Sequence, residues 1–278
     1  MNPATVIIPT HNRSLFIERA ILSVSEQSYP SVELIVVDDG STDDTRIRVA
    51  ELAHQVRVPL CYIYQDNQGP ASARNTGIRA ASSDLICFLD SDDRFLPDKI
   101  SIQVKALLDS GGLISHTKEI WYRRGNLLKQ KKKHQPPEGS IFQNCLRMCV
   151  VGMSTVMVRR ELFELHGWFD EAFPCCEDYD YWLRVSTNES FHLVNVPLTI
   201  KDGGREDQLS VIHRMGMDRY RIKSIVNLLE SGCLTTEQYI LAVNELVCKC
   251  RIYGNGCLKH GKADEGHHYL QIPERYHI

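Results

Sequence analysis

The sequence predicts an α/β fold, in which a mostly parallel sheet is wrapped by helices and followed by a C-terminal helical cap. Three observations predict it. Strand patterns alternate with helix patterns four times before residue 112, and the strands are near-continuous apolar runs, as in sheets covered on both faces. Polar residues also collect directly after these strands. Because parallel strands end at one edge of a sheet, we expect a ligand crevice along that edge.

The composition is that of an ordinary soluble globular chain. Of its 278 residues, 43% are hydrophobic and 24% are charged, and the formal net charge is −3. This balance provides no basic field, so we expect no nucleic-acid partner. Neither an export signal nor an apolar run long enough to span a membrane is evident. We therefore expect a cytoplasmic protein whose ten cysteines are reduced.

Four strands are predicted in the first part of the chain, and a helix pattern follows each of them. Pro9 is predicted to end the first strand, because proline cannot donate to the sheet. Pro97 begins the helix pattern after the fourth strand, at a first-turn position that tolerates proline. The predicted strands are Thr5–Pro9, Glu33–Val37, Leu60–Tyr64 and Leu85–Leu89.

The fourth strand runs directly into an acidic cluster, Asp90-Ser91-Asp92-Asp93. Carboxylates this close repel one another unless a cation neutralises them. Hard oxygen ligands suit Mg²⁺ or Mn²⁺, which commonly complete their coordination with substrate phosphates. The alternative is an acidic turn with a helix cap. Polar clusters at Thr10–Arg13 and Asp38–Ser41 would meet the acids at the same edge, which favours a metal–diphosphate site.

Four segments together resemble one protein family. They are Val6–Arg13, Val36–Asp43, Asn67–Asn75 and Phe88–Asp93. With these segments, in this order, the chain resembles the family 2 glycosyltransferases over about residues 4–200. Members of that family are inverting, nucleotide-sugar-dependent enzymes of the GT-A fold. The resemblance implies the same fold here, a nucleoside-diphosphate sugar as donor and Mg²⁺ or Mn²⁺ as cofactor.

The resemblance also implies which residues bind the nucleotide. They are Pro9, Thr10, His11, Arg13, Asp39, Arg74, Asp90 and Ser91. Asp39 would accept a hydrogen bond from the uracil ring, a task that suits a carboxylate because it only accepts. Asp92 would be the metal ligand. The alternatives are helix capping for Asp39 and a surface salt bridge for Arg74.

A second acidic pair, Glu177-Asp178, opens a helix pattern rich in aromatic residues. Sugar transfer needs a base that takes the proton of the attacking hydroxyl. The pair resembles the family's Glu-Asp motif, which implies Asp178 as the base and Glu177 as its supporting neighbour. The alternative is that both acids only stabilise the helix N-terminus. A retaining reaction would need a second carboxylate as nucleophile; the sequence offers no clear candidate, so we expect inversion.

Two basic features each allow two interpretations. Arg205 follows two glycines at a position where relatives in the family tend to have histidine, and either side chain could contact the diphosphate. The alternative is a solvent-exposed loop residue. The run Lys129–Lys133 belongs to a predicted hairpin around Gly125 and is either a solvated arm or a peripheral contact with an anionic membrane surface.

We divide the chain into three parts. Residues 1–112 form the nucleotide-sugar-binding half, and residues 113–205 form the half of the same domain that carries the acceptor side and the base. Residues 206–278 form a helical extension. In the later parts we predict strands over Leu113–Thr117 and Phe191–Val196, a loop over Lys201–Ser210, and helices over Met215–Glu230, Thr236–Arg251 and after Ala263. Gly152–Val158 resembles the family's strand beside the sugar and acceptor, and the resemblance implies a strand there.

The leading hypothesis is a metal-dependent inverting glycosyltransferase. It would move a hexosyl or N-acetylhexosaminyl group from a UDP-sugar to a hydroxyl of a glycan or lipid-linked acceptor, at the inner face of the membrane. A phosphatase is disfavoured, because its Asp-x-Asp motif follows the first strand of its domain and Asp90 follows the fourth. The remaining alternative is a non-catalytic nucleotide-sugar-binding or scaffold protein, against which the intact Asp92 and Asp178 argue.

Overall fold

One continuous sheet organises the computed structural model, which describes residues 2–213 and 215–276 and, of Lys133 and Ser210, only the backbone. The strands are β1 (Ala4–Thr10), β2 (Val32–Asp39), β3 (Leu60–Gln65), β4 (Leu85–Phe88), β5 (Arg94–Phe95), β6 (Ile114–Arg123), β7 (Asn126–Leu128), β8 (Met157–Arg159) and β9 (His192–Gly203). The α-helices are α1 (Ile17–Ser25), α2 (Thr45–Ala53), α3 (Pro70–Ala80), α4 (Lys99–Ser110), α5 (Phe142–Arg147), α6 (Glu161–His166), α7 (Glu177–Val185), α8 (Leu209–Ile212), α9 (Met217–Glu230), α10 (Thr236–Lys259) and α11 (Ala263–Gln271). Within the described residues the strand order is β3-β2-β1-β4-β8-β6-β9-β5, with β7 paired to β6.

The N-terminal strands form the parallel part of the sheet, as predicted. β2 and β4 flank β1, and β3 lies outside β2. The Val, Ile and Leu side chains of β1, β2 and β4 are almost fully buried, which is why these runs are apolar on both faces. Pro9 lies within β1 opposite Val37, so the strand continues to Thr10 rather than ending at the proline. The loops after β1, β2 and β4 consequently share one edge.

The second part of the sheet is mixed. β8 is antiparallel to β4 and to β6, while β9 is parallel to β6. The predicted strand Phe191–Val196 and the predicted loop from Lys201 are wrong in extent, because β6 supplies pairing partners for β9 as far as Gly203. The sheet crosses from β4 to β8 without a break, and the division at residues 112 and 205 stays a prediction.

The strand expected over Gly152–Val158 is wrong in extent. Met153–Thr155 form a 3-10 turn, and only Met157 and Val158 of the expected segment belong to a strand, β8. Thr155 Oγ1 donates to Gly152 O at 2.7 Å, a local bond that competes with sheet pairing. The turn places Ser154 under the acidic cluster, where its Oγ donates to Asp93 Oδ2 at 2.6 Å.

The predicted hairpin is present between β6 and β7. Its turn has positive φ at both central residues, Arg124 (51°) and Gly125 (77°), which matches the twist of the paired strands. The second arm is shorter than predicted: it ends at Leu128, and Lys132–His134 form a 3-10 turn instead. Lys129, Lys131 and Lys132 are exposed, and the side chain of Lys133 lies outside the described part.

The helical cap predicted after residue 206 is present as α9, α10 and α11. Thr235 caps α10: its hydroxyl accepts from Gln238 N–H, and the Gln238 side chain returns a bond to Thr235 N–H, a capping box. Buried residues of α9 and α10, such as Ile225 and Leu246, join the same core as Trp182 on α7. The cap therefore packs on the helix that carries Glu177 and Asp178. Among the described residues, no helix combines the length and apolarity needed to cross a bilayer.

Candidate active site

The loops after β1 and β2 are joined by hydrogen bonds. His11 Nδ1 lies 2.8 Å from Asp39 O, and Asn12 N–H donates to Ser41 Oγ at 2.8 Å. Asn12 has φ 50°, and its Oδ1 accepts from Thr42 N–H at 2.8 Å. Asparagine tolerates this left-handed conformation because its amide bonds locally. The two polar clusters predicted from sequence thus form one continuous surface.

Asp39 is buried and fixes the segment that leads into α3. Its Oδ1 accepts from Gln68 N–H at 2.9 Å and from Gln65 Nε2 at 2.8 Å, and its Oδ2 accepts from Gly69 N–H at 2.8 Å. A carboxylate has about four acceptor positions, so one at Oδ2 is left for a ligand. Among the described residues, Asp39 accepts no bond from a backbone N–H of α2; its backbone donors are Gln68 and Gly69, directly before α3.

Thr10 and Pro9 form the end of β1 at this edge. Thr10 is 3% exposed, yet its Oγ1 has no hydrogen-bond partner within the described part of the chain. A buried polar group without a partner costs about 1–3 kcal/mol. A ligand that reached this hydroxyl would remove that cost. Pro9 is partly exposed next to it.

Arg74 connects the acidic cluster with the second acidic pair. On α3, it donates from Nη2 to Asp90 Oδ1 at 3.0 Å and forms a short ion pair from Nη1 to Glu177 Oε1. The Arg74 side chain is 6% exposed and that of Glu177 is 7% exposed. The alternative of a surface salt bridge is therefore wrong. Asp90 is the more open partner, with 30% of its side chain exposed.

Burial and neighbouring charges have opposite effects on the pKa values of Arg74 and Glu177. Burial acts to lower the pKa of Arg74, but Glu177, Asp90 and Asp178 outweigh it and raise that pKa, so the guanidinium stays charged. Burial raises the pKa of Glu177, and the Arg74 charge opposes the rise. The guanidinium also lies 5.9 Å from the centroid of the Phe169 ring. Arg74 is thus a fixed cation between two acids.

Asp92 is bonded to the segment that follows β9. Its Oδ2 accepts a short bond from Arg205 Nη2 and a bond from Gln208 Nε2 at 3.0 Å. Arg205 also stacks over Phe16, with its guanidinium carbon 4.3 Å from the ring centroid. Arg205 is therefore held by Asp92 and Phe16, and the alternative of a solvent-exposed loop residue does not describe it. Ser91, between the two acids, is buried.

The side chains of the acidic cluster can supply only some of the ligands that a divalent cation needs. In the described residues, no three His, Cys, Asp or Glu side chains cluster closely enough to hold a metal ion. Mg²⁺ commonly takes one or two carboxylates and completes its coordination with waters and phosphates. Asp92 and Asp90 can supply those carboxylates, provided that Arg205 leaves Asp92. The residues present fit a metal that arrives with a diphosphate.

The segment after β9 also contacts the loop after β1. Arg13 Nη2 donates to Asp207 O at 2.9 Å, and its Nη1 lies 2.8 Å from Asp207 Oδ2. Arg19 on α1 pairs with Asp202 at 3.1 Å. Residues 202–208 therefore lie across the predicted nucleotide edge, held at Asp92 on one side and at Arg13 on the other.

Asp93, the last residue of the acidic cluster, is buried and bonded to other side chains. It is 3% exposed, bonds to Ser154, and lies 3.9 Å from Lys201 Nζ on β9. Burial raises the pKa of Asp93 well above its usual range, and Lys201 opposes that rise. Asp93 and Lys201 are thus buried beneath the acidic loop, while the side chains of Asp90 and Asp92 are 30% and 15% exposed.

Asp178 lies in the first turn of α7. Its Oδ1 accepts from Tyr179 N–H at 2.7 Å, and its Oδ2 accepts from the Cys149 thiol at 3.2 Å. Cys176, which precedes the helix, has φ 65°, so the chain turns sharply just before the acidic pair. Asp178 is partly exposed, whereas Glu177 is buried. The geometry separates an accessible acid from a buried, paired one.

Several residues of the site are not predicted from the sequence. Cys149 lies in an apolar stretch without a motif, and Gln208 is a polar residue in a predicted loop. Lys201 belongs to that same predicted loop, but β9 carries it under Asp93. Asn67 Nδ2 donates to Asp39 O at 3.0 Å. Only the last lies in a segment that carries the family resemblance.

The chain matches the family model described as glycosyl transferase family 2 over residues 5–164. Among curated proteins, it is 34% identical over 218 residues to an uncharacterized glycosyltransferase of Rickettsia conorii, covering 76% of this chain and 33% of that protein. It is 30% identical over 191 residues to the Escherichia coli UDP-Glc:alpha-D-GlcNAc-diphosphoundecaprenol beta-1,3-glucosyltransferase WfgD, covering 69% of this chain and 72% of that one. The chain thus spans about a third of the Rickettsia relative's length.

Solved structures show the same fold at low sequence identity. The Staphylococcus aureus TarS 1–349 complex with UDP-GlcNAc has a TM-score of 0.66 at 16% identity, covering 98% of this chain and 92% of that one. The Pyrobaculum calidifontis mannosyltransferase PcManGT, in complex with GDP-Man and Mn²⁺, has a TM-score of 0.68 at 17% identity, covering 100% of this chain and 76% of that one. These similarities confirm the predicted GT-A fold.

Proposed function

Because this chain belongs to glycosyl transferase family 2, we propose that it is an inverting glycosyltransferase of the hexosyl or N-acetylhexosaminyl type. The donor would be a nucleoside-diphosphate sugar and the acceptor a hydroxyl of a glycan or lipid-linked molecule. The observation that carries the proposal is the ion-pair chain Asp90–Arg74–Glu177. It ties the acidic loop at the sheet edge to the residue directly before Asp178, so a diphosphate site and a base would lie on either side of one buried cation.

The nucleotide would bind along the loops after β1 and β2. Asp39 keeps one acceptor position at Oδ2, which suits a ring N–H such as that of uracil. The Arg13 guanidinium and the Thr10 hydroxyl lie at the same edge, and the described residues provide no hydrogen-bond partner for that hydroxyl. UDP as the nucleotide is supported by the TarS complexes with UDP-GlcNAc and UDP and by the name of the WfgD relative.

The metal would be Mg²⁺ or Mn²⁺, held by Asp92 with support from Asp90. When bound, it would neutralise the charge of the leaving diphosphate. Arg205, once released from Asp92, can contact phosphate oxygens bidentately. The Mn²⁺ of the PcManGT complex supports a divalent cation in this fold. Arg74, Arg205 and Arg13 would supply the remaining positive charge on the donor side.

Asp178 would act as the general base. It would accept the proton of the acceptor hydroxyl while the hydroxyl oxygen attacks the anomeric carbon and the bond from that carbon to the diphosphate oxygen breaks. The nucleoside diphosphate leaves on the opposite face. One displacement inverts the anomeric centre, and no second carboxylate is needed as a nucleophile. Glu177 would keep Arg74 in place rather than take part in proton transfer.

The acceptor would be a glycan or a lipid-linked sugar. The name of the WfgD relative, with a diphosphoundecaprenol acceptor, supports the lipid-linked class. Such an acceptor would bring the protein to the inner face of the membrane, as a peripheral cytoplasmic protein. The exposed Lys129, Lys131 and Lys132 at the end of the β6–β7 hairpin are the candidate contact with anionic lipid.

A donor screen tests this function. The purified protein is incubated with UDP-glucose, UDP-GlcNAc and other nucleotide sugars, with and without polyprenyl-diphosphate-linked sugars, and released UDP is measured. We expect one donor to give acceptor-dependent UDP release that a chelator removes and Mn²⁺ restores. Binding of UDP to the wild type, without release from any donor and acceptor pair, would favour the non-catalytic binding protein instead.

A further inference from the structure

A cysteine thiol contacts the proposed base. Cys149 lies in the segment between α5 and the 3-10 turn at Met153, and its Sγ donates to Asp178 Oδ2 at 3.2 Å. The same Sγ lies 3.4 Å from Val151 O, so the thiol sits between a backbone carbonyl and the carboxylate. Twenty-nine positions separate the two residues in sequence. The contact therefore joins two separate segments at the acceptor side of the site.

We propose that Cys149 is a positioning residue, which holds the Asp178 carboxylate in the orientation that accepts the acceptor's proton. This inference rests on the proposed function. Asp178 Oδ1 is held by Tyr179 N–H and Oδ2 by the Cys149 thiol. With one donor on each oxygen, the carboxylate is fixed in rotation, yet each oxygen keeps a free acceptor position for a hydroxyl.

The thiol is suited to this role because it stays protonated. Burial raises the pKa of Cys149 well above its usual range, and the charge of Asp178 and the hydrogen bond to it act in the same direction. A protonated thiol can donate throughout the physiological pH range. Because a thiol is a weak donor, it orients the carboxylate while withdrawing less basicity than a hydroxyl or an amide would. A base needs both orientation and basicity.

The neighbouring Cys145 offers a matched control. It lies four positions earlier on α5, is 2% exposed, and belongs to the apolar core. Replacing either cysteine by alanine removes one sulfur atom from this part of the chain. Only the Cys149 replacement removes a donor to Asp178. A difference between the two variants therefore separates positioning of the base from packing of the segment.

The kinetic test compares Cys149→Ala, Cys149→Ser and Cys145→Ala with the wild type, using the donor and acceptor found in the screen. We expect Cys149→Ala to lower kcat about tenfold while KM for the donor changes less than about twofold, because a loosely held base costs rate rather than donor binding. Cys149→Ser, whose hydroxyl can donate, should recover most of the rate. Wild-type kcat in Cys149→Ala, or equal losses in the alanine and serine variants, would overturn the proposal.

A second readout needs no enzymatic activity. The rate of iodoacetamide labelling at Cys149 is measured by peptide mass spectrometry in the wild type and in Asp178→Asn. Removing the carboxylate charge lowers the pKa of the thiol, so labelling should rise, by about tenfold for each pKa unit lost. The exposed Cys233 should label equally in both proteins. Unchanged labelling at Cys149 would overturn the contact itself, whereas absence of UDP release in the wild type would count only against the proposed function.

Discussion

Arg74 on α3 and Glu177 at the start of α7 form a buried ion pair across 103 positions of sequence. The same guanidinium bonds Asp90 at 3.0 Å. Removing one partner of a buried pair leaves an uncompensated charge, so such a pair fixes the relative position of the elements that carry it. Here it links the donor side of the site to the helix that presents Asp178.

Arg74→Ala should therefore destabilise the fold as well as weaken donor binding. It leaves Glu177 buried and unpaired, and we expect a loss of about 3–5 kcal/mol in the free energy of unfolding. Urea unfolding measures the first effect and calorimetry with UDP the second. Arg79→Ala, on the exposed side of the same helix, should change the stability by less than about 0.5 kcal/mol. Equal stabilities for the two variants would contradict the buried ion pair.

Asp178→Asn should separate binding from chemistry. The amide keeps the shape of the side chain but cannot accept a proton, so we expect UDP affinity within about twofold of wild type and a loss of about 10²–10⁴ in transfer rate. Calorimetry and the UDP-release assay measure these two quantities. An Asp178→Asn variant that retained transfer would remove this residue as the base, and loss of UDP affinity would point to a role in donor binding.

Arg205 and a divalent cation should compete for Asp92, because the guanidinium bonds Asp92 Oδ2, which the cation would also need. We expect Arg205→Ala to bind Mn²⁺ in the absence of nucleotide about tenfold more tightly than wild type, since the cation no longer displaces an ion pair. Asp92→Asn should bind it most weakly. Electron paramagnetic resonance of free Mn²⁺ measures the affinities, with Arg57→Ala, at an exposed position before β3, as the control. Identical Mn²⁺ affinities in wild type and Arg205→Ala would exclude the competition.

His116 on β6 should make stability depend on pH. Burial lowers the pKa of His116 to about 4, despite a bond from its Nε2 to Pro137 O at 2.8 Å. In the unfolded chain the imidazole takes up a proton near pH 6.5, so the free energy of unfolding falls as pH drops from about 6.5 toward about 4, by about 1–3 kcal/mol.

The control for this dependence is His116→Gln, which keeps a donor for Pro137 O but does not titrate in that range. Urea unfolding of both proteins at several pH values measures the difference between them, because the carboxylates contribute equally to each. We expect the difference in stability to shrink or reverse as pH falls. A constant difference from pH 7 down to about pH 4 would show that His116 does not contribute.

Much of the fold could be predicted because its signals are local. The strands β1, β2 and β4 are apolar at consecutive positions, whereas a strand with one buried face would alternate apolar and polar residues. They end in polar loops that a parallel sheet places on one edge. The extents of β8 and β9 could not be predicted in the same way. β9 continues through Lys201 only because β6 lies beside it, and the Met153–Thr155 turn depends on a Thr155 side-chain bond.

The candidate site likewise combines residues with a local sequence signal and residues that distant segments bring together. The sequence indicates Asp90, Asp92 and Asp178 as candidate acids, because charge clusters after strands and before helices are visible in one dimension, and their roles stay predictions. The partners that neutralise or orient them could not, since Arg205 and Cys149 come from distant segments without a motif. The family resemblance implies a nucleotide contact for Arg74, which stays a prediction, whereas the pairing of Arg74 with Glu177 is visible only in three dimensions.

The most direct test of the central claim is a crystal structure of the protein with a UDP-sugar and Mn²⁺. We predict uracil at Asp39, the diphosphate and Mn²⁺ at Asp92 with Arg205 displaced from that carboxylate, and Asp178 on the face of the anomeric carbon opposite the diphosphate. A nucleotide bound away from the edge formed by the loops after β1, β2 and β4, or an Asp178 carboxylate directed away from the sugar, would contradict the account.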